Sequence, residues 1–157
     1  MTGQEINEFT VKISQANKTG LIVIMYEMAI KYIDDGMMAL ENNNIEEYRV
    51  NLKRSKAVIN ELTSVLDMTQ LISYELRSLY VFINNVLVRA DIRVETEELV
   101  RVREMLVKLA NSFRRIKKDD KSGPVMENTQ QLYSGLTYSK TSLNEDMYGD
   151  VNRGFKV

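Results

Sequence analysis

A chain of 157 residues suits one domain; 44% hydrophobic residues support a core, and 27% charged residues keep it in solution. A net charge of −1 supplies no global field to recruit nucleic acid or an anionic membrane. With neither cysteine nor histidine, the chain has no disulfide, no thiolate, and neither the commonest general base nor the commonest metal ligand.

The opening stretch, MTGQEINEFTVKI, has no basic region leading into an apolar run, so it does not read as a signal peptide. The longest apolar run, residues 21–26, is far short of the ~20 residues a membrane span needs. A cytoplasmic protein with no direct membrane insertion is expected.

The first eighteen residues read as an irregular segment, with Phe9, Val11 and Ile13 alternating and set to lie against a core. A helix is expected over 19–41, where Ile22, Tyr26, Ala29, Ile33, Gly36 and Leu40 are spaced 4-3-4-3-4. The run of asparagines at 42–44 ends it. Asn44, with Glu47 three residues on, has the pattern of a capping box for the next helix. Along that helix Ile45, Tyr48, Leu52, Ser55, Ile59, Leu62 and Leu66 form the seam. Asp67 with Gln70 repeats the capping pattern. Ile72, Leu76, Leu79, Ile83, Val86 and Ala90 then mark a third seam. Thr96 caps the last helix, with Glu97 and Glu98 at its positive end and Arg114, Arg115, Lys117 and Lys118 at its negative end. Its seam is Leu99, Val102, Leu106, Leu109, Phe113 and Ile116. Helices of ~20 residues are ~30 Å long, and short loops force neighbours to run antiparallel. The expected fold is all-α: an antiparallel up-down-up-down four-helix bundle, residues 1–118, with an irregular N-terminal segment.

Gly123-Pro124 punctuates the chain. The stretch 119–157 holds four of the seven glycines, three tyrosines and few aliphatic residues. It cannot build a second core and reads as an extended tail, flexible or docked on the surface through Leu132, Tyr133, Leu136 and Tyr138.

Bundles that hold two metals use inward Glu and Glu-x-x-His pairs, and the chain has no histidine. The four seams contain no carboxylate. Asp34-Asp35, Glu46-Glu47 and Glu97-Glu98 sit at helix ends or on exposed faces. There is no glycine-rich phosphate loop and no serine-centred nucleophile motif. The basic run 114–118 complements a helix C-terminus and lacks the interleaved aromatics of a single-strand binder. The expectation is no enzyme, no cofactor, no metal and no nucleic acid.

Surplus apolar surface remains. Residues 21–40 carry four of the nine methionines. There Leu21, Met25, Met28 and Tyr32 form a second stripe, spaced 4-3-4 and shifted by one residue from the first. Tyr74, Val81 and Val88 add a heptad-spaced line on the third seam's helix, with Phe82 and Leu87 near it; Val58 and Val65 do the same one helix earlier. On one reading, the helices are buried by one another and by the terminal segments. On the other, a groove receives a foreign amphipathic helix, which methionine's flexible side chain suits.

The stretch "IVIMYEMAIKYI" at 22–33 resembles the first-helix signature of the FliS family, the flagellin export chaperones: an aliphatic run, Leu-Tyr-Asp-Gly-Ala, then a hydrophobic pair. "KRSKAVINELTSVLDM" at 53–68 is similar to the family's second helix, matching at Lys56-Ala57, Ile59, Glu61-Leu62 and Leu66-Asp67. "LYVFINNVLVRADI" at 79–92 resembles its third, through Leu79, Tyr80, Leu87 and Ala90, with Phe82 for the second aromatic. The sequence departs from the pattern at Asn17-Lys18-Thr19-Gly20, where the family often has Ser-Pro-Glu, and at Glu27-Met28, where it has Asp-Gly. Phe9 stands where tyrosines are usual, and the tail lies outside the common core.

The resemblance implies a non-catalytic, cofactor-free bundle. It would bind the disordered C-terminal segment of flagellin, prevent premature polymerisation and aid delivery to the flagellar export gate. The client segment would fold into helices along apolar grooves, part of which the chaperone's own N-terminal segment occupies when free. On this basis Ile13, Met25, Met28 and Tyr32, with Tyr74, Tyr80, Val81 and Phe82, are the expected partner-binding residues. The alternative is a structural or adaptor module that buries its second stripe in a homodimer.

Overall fold

Thr2 and Glu5 start the first element. The Glu5 N–H donates to Thr2 Oγ1 at 3.3 Å and the Thr2 N–H donates to Glu5 Oε2 at 2.7 Å, a reciprocal capping box. The computed structural model, which describes residues 1–126, therefore places a helix where an irregular segment was expected. The alternation of Phe9, Val11 and Ile13 is not a strand period. On the helix Glu5, Phe9 and Ile13 share one half-buried face at spacings of four, while Ile6 and Val11 point to solvent.

Five helices follow one another among the described residues, with no strand: α1 Gly3–Gln15, α2 Lys18–Glu41, α3 Ile45–Ser64, α4 Leu71–Arg93 and α5 Glu97–Asp119. The compact unit that holds them is Met1–Val125. From residue 127 onward the expected tail, with Leu132, Tyr133, Leu136 and Tyr138, lies outside the described residues.

Side chains and backbone set each boundary. Asn17 caps α2 by accepting from the Gly20 N–H at 2.8 Å. Asn44 caps α3 by accepting from the Glu47 N–H at 3.1 Å. Asp67 does not cap α4: its carboxylate closes a turn on the Thr69 N–H and hydroxyl, and α4 begins after Gln70 without a side-chain cap. Val94 ends α4 in the left-handed region at φ 55°, a costly conformation for a β-branched residue. Its half-buried side chain packs on the core, which holds it there.

α2 packs most extensively on α3 and α5; α4 packs on α3 and α5. Directions follow from cross-helix bonds. Thr19 meets Asp120, Glu27 meets Arg114 at 2.7 Å and Asp34 meets Arg103, so α2 and α5 run antiparallel. The Tyr48 hydroxyl, at the start of α3, donates to Ala90 O or Glu95 O, at 2.9 and 2.7 Å, around the end of α4. Asn84 donates to Asn60 at 2.7 Å further along, so α3 and α4 also run antiparallel. These helices form an all-α packing consistent with a bundle.

The core runs through Tyr26, Ala29 and Ile33 of α2, Tyr48, Leu52, Ile59 and Leu62 of α3, and Leu99, Val102, Leu106 and Ala110 of α5. On α4 the buried residues are Ser73, Leu76, Tyr80, Ile83, Val86, Leu87 and Ala90. The expected seam through Ile72 and Leu79 is displaced by one position at two points: Ile72 is exposed and Leu79 half-buried. At the end of α5, Phe113 is half-buried and Ile116 exposed.

Candidate binding surface

The second stripe of α2 is half-buried along its length: Leu21, Met25, Met28 and Tyr32 all retain solvent exposure. Arg54 of α3 places its guanidinium over the Tyr32 ring, 5.9 Å from the centroid. On the next flank of α2 lies α1, antiparallel to it, with Glu5 2.9 Å from Lys31 and Lys12 3.9 Å from Glu27. Ile24 is 6% exposed yet outside the central core cluster, and α1 is the element packed on that side.

α1 has no buried residue. Phe9 and Ile13 are half-buried, and ion pairs supply the rest of its attachment. Lys31 is central: it also meets Asp35 at 2.7 Å, and its pKa is raised by Asp35 first and Glu5 second. The Thr2 backbone N–H, then Lys31, hold the Glu5 carboxyl down at about 2. A depressed carboxylate stabilises the folded arrangement above its unfolded pKa and ceases to do so as pH falls through the folded value. The capping box of α1 first, and its Lys31 contact to α2 second, should therefore weaken as pH falls from ~4.5 toward 2. Hydrogen exchange should show α1 opening over that range before the core helices, and Glu5→Gln should speed exchange in α1 several-fold at neutral pH, as loss of one pair worth ~0–1 kcal/mol does.

The eight expected contact residues divide into three groups. Ile13, Met25, Met28 and Tyr32 lie on α1 and on the flank of α2. Tyr74, Val81 and Phe82 are exposed on the outer face of α4. α4 neighbours α3 and α5, and the opposite face of α4 meets α2 across the core, so these three do not share a groove with Met28. Tyr80 is on neither surface. It is 1% exposed, its hydroxyl pairs with that of Tyr26, and the Tyr26 ring packs on Phe113 with centroids 5.6 Å apart. Burial pushes both phenol pKa values up. A tyrosine whose hydroxyl finds a partner inside behaves as core in the free chain, which sets Tyr80 apart from the other seven expected contact residues.

One feature escaped the sequence patterns. A cavity of ≈ 170 Å³ opens at the bundle end where α2 begins and α5 finishes, lined by Ile22, Leu62, Leu66, Ile72, Leu76 and Phe113. The apolar residues flanking the α3–α4 turn, Leu66 and Ile72, are its only sequence trace. Among the described residues no group of three or more His, Cys, Asp or Glu residues is placed to hold a metal ion. No described helix is long and apolar enough to cross a membrane.

The described residues define an all-α module in which a helix laid on ion pairs borders a half-buried apolar flank. The family model described as "Flagellar protein FliS" matches residues 4–120, from within α1 to just past α5, and the chain belongs to that family. No curated protein matches the chain. Membership gives it a general flagellin-chaperone role, and FliS-family chaperones are non-catalytic.

Proposed function

We propose that the protein is a cytoplasmic chaperone that holds the C-terminal segment of flagellin on the flank of α2 and passes it to the flagellar export apparatus. In this reading α2 to α5 form an up-down-up-down bundle that serves as a rigid platform. Met25, Met28 and Tyr32 contact an amphipathic client helix, with Ile13 at the border where α1 meets the flank. Residues 1–118 act as the chaperone domain, with 119–157 an appended tail.

The observation that carries the reading is the attachment of α1. A helix with no buried residue, beside half-buried Leu21, Met25, Met28 and Tyr32, is displaceable at small cost. Each exposed ion pair contributes only ~0–1 kcal/mol. A client helix that also covers the territory of α1 gains the apolar area of Ile24 and the stripe together.

Hydrogen exchange with and without the flagellin segment tests this. Client binding should speed exchange in α1 while slowing it in α2. Deleting residues 1–16 should tighten binding, because a closed population reduces apparent affinity by its own fraction. If exchange in α1 slows on binding and the deletion weakens the complex, α1 is part of the client site and not a competitor for it.

A further inference from the structure

The outer face of α4 carries a pattern that the flank of α2 does not explain. Tyr74, Ser78, Val81, Asn85, Val88 and Ile92 recur at alternating intervals of four and three, and all six are exposed. They lie opposite the buried line of the same helix. A seam with a mean spacing of 3.5 residues is what a second helix packs against, and four of its six positions, Tyr74, Val81, Val88 and Ile92, are large exposed apolar side chains. Charges flank it. Glu75 and Arg89 lie on the side of α5, where Arg89 meets Glu98; Arg77 and Asp91 lie on the side of α3, where Asp91 meets Arg49. Glu75 and Arg77 have no ion-pair partner among the described residues.

We propose that this face is a homodimer interface, on which α4 of a second copy lies antiparallel with the twofold axis beside residue 83. Tyr74 then meets Ile92 of the second copy, Ser78 meets Val88, Val81 meets Asn85, and each contact recurs by symmetry. Glu75 faces Arg89 and Arg77 faces Asp91, again twice each. Phe82 and Asn84 lie beside their own counterparts at the axis.

Charge complementarity selects this arrangement. Sliding one helix by a heptad sets Glu75 against Phe82 and Arg77 against Asn84. Sliding it the other way sets Phe82 against Arg89 and Asn84 against Asp91. In-register parallel pairing sets Arg77 against Phe82 and Asn84 against Arg89. None of these alternatives pairs a carboxylate with a guanidinium, whereas the proposed register pairs Glu75, Arg77, Arg89 and Asp91, four of the five charges of α4, Arg93 lying at its very end. A face that complements itself in this way requires no other protein to explain its sequence.

Sedimentation equilibrium of the full chain across a wide concentration range should show a mass rising toward twice the 18.2 kDa of one chain. Val81→Asp should return it to the one-chain mass with an unchanged melting temperature. Glu75→Arg, which sets like charges against Arg89 twice, should weaken the dimer about tenfold. The chain has no cysteine, so single cysteines report the register. With a short bismaleimide, Asn84→Cys and Phe82→Cys should each link to their own kind. Tyr74→Cys should not link to itself, but should link to Ile92→Cys. A one-chain mass at every concentration overturns the proposal, as does self-linking of Tyr74→Cys as readily as of Asn84→Cys. It is equally overturned if the chain is monomeric and Val81→Asp abolishes binding of the flagellin segment, which would give this face to the client. A monomeric result alone leaves the reading of the α2 flank intact.

Discussion

Tyr80→Ala should cost ~3–5 kcal/mol of stability, the range for removing a large buried aromatic side chain. For a chain of this length that lowers the melting temperature by ~10 °C or more. The ring of Tyr80 is 6.3 Å from that of Tyr26, centroid to centroid, and both lie in the core among Ile83, Leu87 and Leu106. Removing it opens a cavity beside the existing apolar pocket at the bundle end, which Tyr80 also lines. It also leaves the Tyr26 hydroxyl without the partner it has inside. Tyr80→Phe isolates that second effect: the ring stays, one buried hydroxyl loses its partner, and the expected cost is ~1–3 kcal/mol. Chemical denaturation of the three proteins separates the two contributions. A Tyr80→Ala protein that melts unchanged but no longer binds the flagellin segment would return Tyr80 to the surface.

Met28→Asp should do the reverse. Met28 is half-buried on the flank of α2, outside the central cluster. A carboxylate there remains hydrated in the free protein, so the melting temperature should change little. On binding it must lose water against an apolar client helix and gain no partner, which is unfavourable. Binding of the flagellin segment should weaken ~100-fold, as for a central contact residue. Val100→Asp, on an exposed position of α5, is the control and should bind normally. If Met28→Asp instead unfolds the chain, the stripe is core and the flank is not a binding surface.

The four long helices were legible because their seams repeat at 3.6-residue spacing and their connections are polar and short. In α3 the middle of the seam, Tyr48, Leu52, Ser55, Ile59 and Leu62, is buried and Asn44 caps the helix, while the seam's ends depart from the pattern: Ile45 is exposed and Leu66 half-buried. α1 was missed, although Thr2 and Glu5 carry a capping box, because Phe9, Val11 and Ile13 suggested a two-residue period. In α4, hydrophobicity alone favoured Leu79 over Tyr80. The deciding fact, a second tyrosine across the core to pair the hydroxyl, is a tertiary contact with Tyr26 that no local window contains. The same limit applies to the surface residues. Met28 is half-buried and Val81 exposed. That they face different sides of the molecule depends on which helices are neighbours, and the sequence pattern does not order helices around a core.

Binding of a flagellin C-terminal segment, followed by calorimetry at several temperatures with circular dichroism of the same mixtures, tests the chaperone reading most directly. The account predicts one segment per chain, a gain of helical signal, and a large negative heat-capacity change from burying apolar surface as the segment folds. No heat at any temperature, with a circular dichroism spectrum equal to the sum of the two free components, would contradict it.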